Sequence, residues 1–393
     1  MSSSSKHNTA TNYTMHNRVT LVRGGKDYFD LLERIINQAR TIIHFQMYIF
    51  NEDETGNRII TALMNAAKRG VKIFIVLDGY ASKNLSKACI GNLRSAGIHF
   101  RRFNPIFRSQ YFYFGRRLHH KVIVVDAFAG LVGGINITNR YNDLDKPAWL
   151  DWALHAEGEV SLQLNKICAD VWNKSVWGKR YRTRFILPEK SLMPTEICMV
   201  RTRVNDWVHG KKQISKTYIE MLKQAQHSVI IMSSYFLPGV LIKKHLSAAA
   251  RRGVKIKIIA AGASDVQLAK QAERYVYSWL FKNKIEIYEY KKAILHGKLS
   301  TYDERFVTVG SYNINNVSAY AAIELNVDVL DTSFAKKTEM VLQKIICEDC
   351  VQIMEAEYIG KETFLVRAWQ RICFDTYRVV LYLFTFYFKR QHG

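Results

Sequence analysis

His119, Lys121, Asp126, Gly133, Gly134 and Asn136 recur as His296, Lys298, Asp303, Gly310, Ser311 and Asn313, with the same spacing inside each set: H-x-K-x4-D-x6-G-[GS]-x-N. With ordinary residue frequencies, one such match arises by chance in a chain of this length at roughly 10⁻⁵, and two in register are far rarer. The groups are those a phosphate site needs. An imidazole attacks or moves a proton, an ammonium supplies fixed positive charge, small residues leave room, and an amide donates a neutral hydrogen bond. Two copies of one incomplete set point to a single complete site built between two halves of the chain. Neither copy has lost a position, which argues against a decayed repeat.

The segments KVIVVD and KLSTYD read as strands, and side chains at i and i+2 of a strand share a face. His119 therefore points with Lys121, and His296 with Lys298, while His120 alternates to the opposite face as a packed neighbour. Asp126 and Asp303 sit at the strand ends beside turn residues, and their phase suits bracing the turn rather than touching substrate. A second apolar strand then runs into Gly133-Gly134 or Gly310-Ser311, where small side chains would let an anion approach the backbone. Asn136 or Asn313 follows with an amide.

Upstream, LLERIINQARTIIHFQMYIF matches YIEMLKQAQHSVIIMSSYFL, and LMNAAKRGVKIFIVLDG matches LSAAARRGVKIKIIAAG. Each reads as amphipathic helix, buried strand, helix stopped at a glycine (Gly70, Gly253) and another buried strand. The alternation predicts an α/β layered fold with largely parallel central strands. Tyr48 and Tyr235 end matching strands, where they either line the site or pack in the core. Residues 1–17 read as a disordered tail, 18–185 and 186–360 as the two halves, and the basic stretch 179–190, with one of only five prolines, as their crossover.

Lys and Arg number 57 against 34 Asp and Glu, a formal charge of +23 that implies a polyanionic partner, either nucleic acid or an anionic membrane surface. Six scattered cysteines form neither a zinc-ligand set nor a disulfide framework and read as reduced thiols. No histidine outside the two motifs has metal-ligand spacing, and no metal or cofactor is expected. No N-terminal apolar stretch has the length of a signal peptide or a membrane span, so the enzyme body is expected in the cytoplasm.

Two regions favour the membrane. Residues 361–393 are apolar and aromatic, yet Arg367, Arg371, Arg378 and Thr385 fall within about 40° of helical arc. Uninterrupted apolarity from Val379 to Phe388 is about half of what a span requires, so a basic amphipathic helix lying in the interface is expected. In the second region, Phe107, Tyr111, Phe112, Tyr113 and Phe114 stand among Arg108, Arg116 and Arg117, a loop suited to headgroups or to stacking single-stranded bases.

The paired motifs resemble those of the phospholipase D superfamily. Within it the likeness is to bacterial cardiolipin synthases, carried by YIFNED near Tyr48, the two R-G-V-K-I segments, Arg117, GGINI, WLDWALHAEGEV, SYFLP, LHGKLSTYD and GSYNIN. It spans roughly residues 20–350. Members that begin with two membrane-spanning helices differ from this chain, which is similar to shorter forms. The resemblance implies two αβα sandwich halves related by a pseudo-two-fold axis, with the active site at their interface. It also implies a phosphatidyltransferase that moves a phosphatidyl group from phosphatidylglycerol to a second lipid alcohol, releasing glycerol. The family pattern makes His119, Lys121, Asp126, His296, Lys298 and Asp303 the catalytic signature, with His119 as nucleophile and His296 as general acid, then base. Asn136 and Asn313 join the lysines on the phosphate oxygens. Asp151 and Glu324 stand where the superfamily carries acids that orient the histidines, and are expected to serve His119 and His296 respectively. The partner expected is an anionic membrane containing phosphatidylglycerol, at the cytoplasmic face of the bacterial inner membrane, with no specific nucleic acid. The rivals are a lipid hydrolase, a nuclease, and a membrane-binding module with a relic site.

Overall fold

The structure, a computed structural model, describes residues 12–105, 116–174, 194–315, 318–319, 322–361 and 363–389, with the side chains of the last helix followed to Val379. The aromatic loop at 107–114 and the crossover at 179–190 lie outside the described residues.

The first half runs β1 (Thr14–Arg23), α1 (Lys26–Gln38), β2 (Ile42–Met47), α2 (Glu54–Lys68), β3 (Lys72–Asp78), α3 (Lys87–Ser95), β4 (His99–Phe103), β5 (Arg117–Leu118), β6 (Val122–Val125), β7 (Ala129–Gly133), β8 (Trp152–Gly158) and α4 (Glu159–Lys174). The second half repeats the plan: β9 (Ile197–Asp206), β10 (Lys211–Lys212), α5 (Gln213–Gln224), β11 (Ser228–Ser233), α6 (Val240–Arg251), β12 (Lys255–Ala261), α7 (Gln267–Lys282), β13 (Glu286–Tyr290), β14 (Lys298–Tyr302), β15 (Phe306–Gly310), β16 (Ala322–Leu330) and α8 (Thr332–Asp349). The chain closes with β17 (Cys350–Gln352), α9 (Glu355–Lys361) and α10 (Phe364–Lys389).

Local chemistry explains the elements. Helix α1 buries Tyr28, Phe29, Leu31, Leu32, Ile35 and Ile36, a helical repeat whose side chains each contribute about 1.5–3 kcal/mol when withdrawn from water. Asp53 caps α2 by accepting from Gly56 N at 3.0 Å. The helices before β3 and β12 stop where Gly70 and Gly253 both take φ 89°. β1 begins inside the segment expected to be a tail, because buried Asn17 joins Val160 N to Cys198 O at 2.8 Å each.

The sheets are mixed rather than largely parallel. β2, β3 and β4 pair parallel, but β2 then meets β6, and β6, β7, β8 and β1 follow antiparallel. In the second half β11, β12 and β13 are parallel, while β14, β15, β16 and β9 run antiparallel. The cause is the tight hairpin inside each motif, since a turn of three residues can only return a strand antiparallel. β1 meets β9 through a bulge, joining the sheets edge to edge. One core lies under α1, α2 and α3, another beneath α5, α6 and α7, and a third mixes Leu118, Val122, Trp152 and Leu154 with Leu295, Leu299, Ile323 and Leu325. That shared core fixes the halves against each other.

Helix α10 does not lie free. Gln370 and Cys373 are buried against α7, Phe374 lies 5.1 Å from Tyr275, and the Tyr358 hydroxyl donates to Gln370 Oε1 at 3.2 Å. Its opposite face leaves Phe364, Leu365, Trp369, Ile372 and Val379 exposed. They cover about 140° of arc, flanked by the arginine stripe. Asp375 falls beside that stripe, where it borders the apolar arc, 3.7 Å from Arg371 and 3.8 Å from Arg378. Among the described residues, no helix is long and apolar enough to cross a membrane.

Candidate active site

β6 and β14 begin at Val122 and Lys298, so His119 and His296 stand just ahead of their strands. Each is pinned by the other half. His119 N donates to Ile323 O at 3.0 Å where β5 runs parallel to the start of β16, and His296 N donates to Leu150 O at 2.8 Å. Leu150 N returns a bond to Ile294 O at 2.8 Å. The chain segment beside each histidine therefore belongs to the opposite half, and the next residue along it is a carboxylate.

That crossing reverses the expected pairing of acids and histidines. Glu324 Oε2 lies 2.8 Å from His119 Nδ1, and Asp151 Oδ2 lies 2.7 Å from His296 Nδ1. Asp151 serves His296 and Glu324 serves His119, because register across the interface, not distance along the chain, decides which imidazole each can reach. Both carboxylates are fully buried. Burial pushes Glu324 up, but His119, Lys121 and the Ser311 hydroxyl together hold it below its usual value. Burial wins at Asp151, which is pushed up to about 6 against the pull of Lys298. With each Nδ1–H facing a carboxylate, each Nε2 is left for the cavity.

The small residues of the motif make room for these acids rather than for an anion. A side chain on Gly134 would place its Cβ 2.3 Å from Asp151 Oδ1. At the matching position, the Ser311 hydroxyl donates to Glu324 Oε2 at 2.5 Å. One half uses glycine with a short acid, the other serine with a longer acid.

A cavity of about 380 Å³ opens above both histidines, and Asn136, Asn313, Tyr48, Tyr235 and Glu324 also line it. Lys121 and Lys298 lie behind the imidazoles, 2% and 1% exposed. Lys121 Nζ donates to His119 O at 2.9 Å, and Lys298 Nζ to His296 O. Lys298 Nζ also stands 2.8 Å from His296 Nδ1. That nitrogen serves one neighbour at a time, so an N–H given to Asp151 leaves the ammonium to the carbonyl. Burial lowers Lys121 well below the usual lysine value and Lys298 to about 8. Burial also lowers both histidines, His296 further because Lys298 and Lys121 repel its charged form. The Asn136 amide donates to the Tyr141 hydroxyl at 3.0 Å, and Asn313 Oδ1 accepts from Ser234 at 2.7 Å.

Asp126 and Asp303 are not in this site, although they complete the motif. Asp126 accepts from Arg40 N, Thr41 N and Ile42 N at 2.8–2.9 Å, and Asp303 from Gln226 N, His227 N and Ser228 N over the same range. Each ties the hairpin's far end to the start of β2 or β11. The turn residues Asp126 and Ala127, like Asp303 and Glu304, sit at φ between 47° and 54°, a conformation these bonds hold without glycine.

His120 does face away, fully buried with Nδ1 3.0 Å from Gln46 Oε1. The sequence left other cavity residues unmarked: Tyr141 and Trp149 near His296, Arg140, Asp265, and Tyr377 from α10. Trp149 opens the WLDW segment, a usable signal; Tyr377 arrives by helix docking and has none. Among the described residues no cluster of His, Cys, Asp and Glu is arranged to hold a metal ion.

Comparison with known proteins identifies the family. A family model described as cardiolipin synthase, phospholipase D-like domain, matches residues 32–169 and 218–346, one segment in each half. Cardiolipin synthase B of Salmonella typhimurium (strain LT2) is 34% identical over 346 residues, covering 86% of this chain and 83% of that protein. Cardiolipin synthase B of Escherichia coli (strain K12) is 32% identical over 343 residues, with the same coverage of 86% and 83%. In fold, the chain superposes on the crystal structure of phosphatidylserine synthase from Haemophilus influenzae Rd KW20 with a TM-score of 0.73 at 14% identity, over 96% of this chain and 97% of that one. On its paired motif segments and its likeness along most of its length, this chain belongs to the phospholipase D-like cardiolipin synthase family.

Proposed function

We propose that this protein is a phosphatidyltransferase that moves a phosphatidyl group from phosphatidylglycerol to the hydroxyl of a second phospholipid, releasing glycerol. One observation carries the reading: two histidines line one cavity, each held at Nδ1 by a buried carboxylate from the opposite half. His119 Nε2 attacks phosphorus, and His296 gives its Nε2 proton to the departing glycerol oxygen as that P–O bond breaks. His296 Nε2 then takes the proton of the acceptor hydroxyl, whose oxygen displaces His119 from phosphorus. The lysine ammonium groups and the two asparagine amides stabilise charge on the nonbridging oxygens. Burial and the neighbouring ammonium groups hold His296 well below the usual histidine value, and the charge of a bound phosphodiester offsets that repulsion.

A lipid substrate is favoured over nucleic acid by α10, which sets an exposed apolar arc beside Arg367, Arg371 and Arg378 and also lends Tyr377 to the cavity wall. A helix of that kind suits the surface of an anionic bilayer, so we place the protein peripherally on the cytoplasmic face of the membrane. The test gives purified protein phosphatidylglycerol vesicles and resolves the products. Cardiolipin plus glycerol is expected. Phosphatidic acid alone would make it a hydrolase, and inert lipid beside degraded DNA would overturn the lipid reading.

A further inference from the structure

The cavity is electrostatically lopsided. On the first-half side, Arg117 and Arg140 line it; on the second-half side Asp265 does, accepting a hydrogen bond from the Tyr235 hydroxyl. Arg117 is tied into the fold, with Nη1 3.6 Å from Asp78 and Nη2 donating to Asn104 O at 3.0 Å. Arg140 differs. It forms no ion pair among the described residues, and its guanidinium lies over the Trp149 ring, 4.9 Å from the centroid.

Its backbone is nonetheless rigid. Arg140 O accepts from Trp149 N at 2.9 Å, and the preceding Asn139 exchanges bonds with the α2 cap, N to Asp53 Oδ2 and Oδ1 from Thr55 N, both at 2.9 Å. A fixed, stacked, unpaired arginine at the rim of a cavity is placed to take an anion.

Transfer between two phospholipids demands such a place. One phosphate reacts between the histidines, served by the buried lysines; the acceptor brings a second, which stays intact and cannot share that pocket. Asp265 repels it from the second-half rim. Trp149, under Arg140, lies 6.1 Å from His296, the base assigned to the acceptor hydroxyl. When the acceptor is phosphatidylglycerol, only the three carbons of its headgroup glycerol separate the terminal hydroxyl from the phosphate, so both groups can be met at once.

We infer that Arg140, stacked on Trp149, binds the non-reacting phosphate of the acceptor lipid, so that the second lipid enters over the first-half rim and is chosen over acceptors without a phosphate. This rests on the phosphatidyltransferase reading. The test is a partition measurement: phosphatidylglycerol vesicles with ethanol present, scoring cardiolipin against phosphatidylethanol from one reaction. Ethanol takes the same phosphatidyl group but carries no phosphate. In Arg140→Ala the cardiolipin-to-phosphatidylethanol ratio should fall about 10- to 100-fold, the worth of one charge-assisted contact. Arg140→Lys, which keeps the charge without the fork, should lower it by less than tenfold. An unchanged ratio in Arg140→Ala, or in Arg140→Gln if the alanine protein does not fold, overturns the assignment. Wild-type protein that makes phosphatidylethanol but no cardiolipin would instead overturn the transferase reading and, with it, the need for an acceptor site.

Discussion

Replacing Glu324 with glutamine probes the crossed pairing directly. His119 Nδ1 at 2.8 Å and the Ser311 hydroxyl at 2.5 Å both converge on Glu324 Oε2, while Oε1 is buried without a partner. Glutamine keeps both bonds only with its oxygen at the Oε2 position, so the His119 tautomer survives and the charge is what is lost. A hydrogen bond to a charged group contributes about 1.5–3 kcal/mol, which converts to a loss of about 10- to 150-fold in the step that builds positive charge on His119. Asp151→Asn should cost a similar factor with phosphatidylglycerol, but through His296 and the protonation of glycerol. The two separate when the leaving group needs no proton. With a p-nitrophenyl ester of phosphatidic acid, rapid-mixing measurement of the p-nitrophenol burst should show Asp151→Asn restored nearly to the wild-type burst rate and Glu324→Gln still slow. Equal recovery of both variants, or recovery of Glu324→Gln alone, would refute the assignment of His119 as nucleophile with Glu324 behind it.

Activity should follow a bell-shaped pH profile, its acid limb near 6, where Asp151 ionises, and its alkaline limb near 8, where Lys298 loses its proton; a profile flat from pH 5 to pH 9 would contradict the roles of both groups. Because burial raises Asp151, its contribution to stability is fully present below its unfolded value and is lost as pH rises through about 6. Asp151→Asn should therefore resist urea better than wild type at pH 7.5, and the gap should close toward pH 4. Asp126→Ala, which removes an acceptor from three backbone amides and the Thr41 hydroxyl, should lower stability by about 2–3 kcal/mol in urea titrations while active-site titration finds the folded fraction turning over normally. Phe364 and Trp369 are 85% and 55% exposed on α10, so replacing both with serine should weaken sedimentation with phosphatidylglycerol vesicles at least about 100-fold without lowering the melting temperature.

Much of the site was legible because it is local. Strand alternation sets His119 with Lys121, His296 with Lys298, and His120 behind them, and turn chemistry marks Asp126 and Asp303 as braces despite their place in the family signature. Gly70 and Gly253 end helices where no other residue takes φ 89° as easily. The roles of Gly134 and Ser311 are not legible in the sequence, since nothing in a linear pattern says whether the space beside a small residue is filled by an anion or by a neighbouring carboxylate.

By itself the sequence determined that there are two matching half-sites, which residues each contributes, and that the chain carries a basic, partly greasy terminal helix. It could not determine how the halves are joined. Asp151 and Glu324 lie at comparable distances after their own histidines, so pairing within a half and pairing across halves satisfy the same spacing. Only docking, through the shared core and the backbone bonds from His119 to Ile323 and from His296 to Leu150, brings each acid to the opposite imidazole. The same holds for Arg140 and Tyr377, which reach the cavity through contacts between segments far apart in the chain. Strand phase and turn preference are properties of neighbours along the chain, whereas a site at an interface is a property of packing, which no short stretch of sequence encodes.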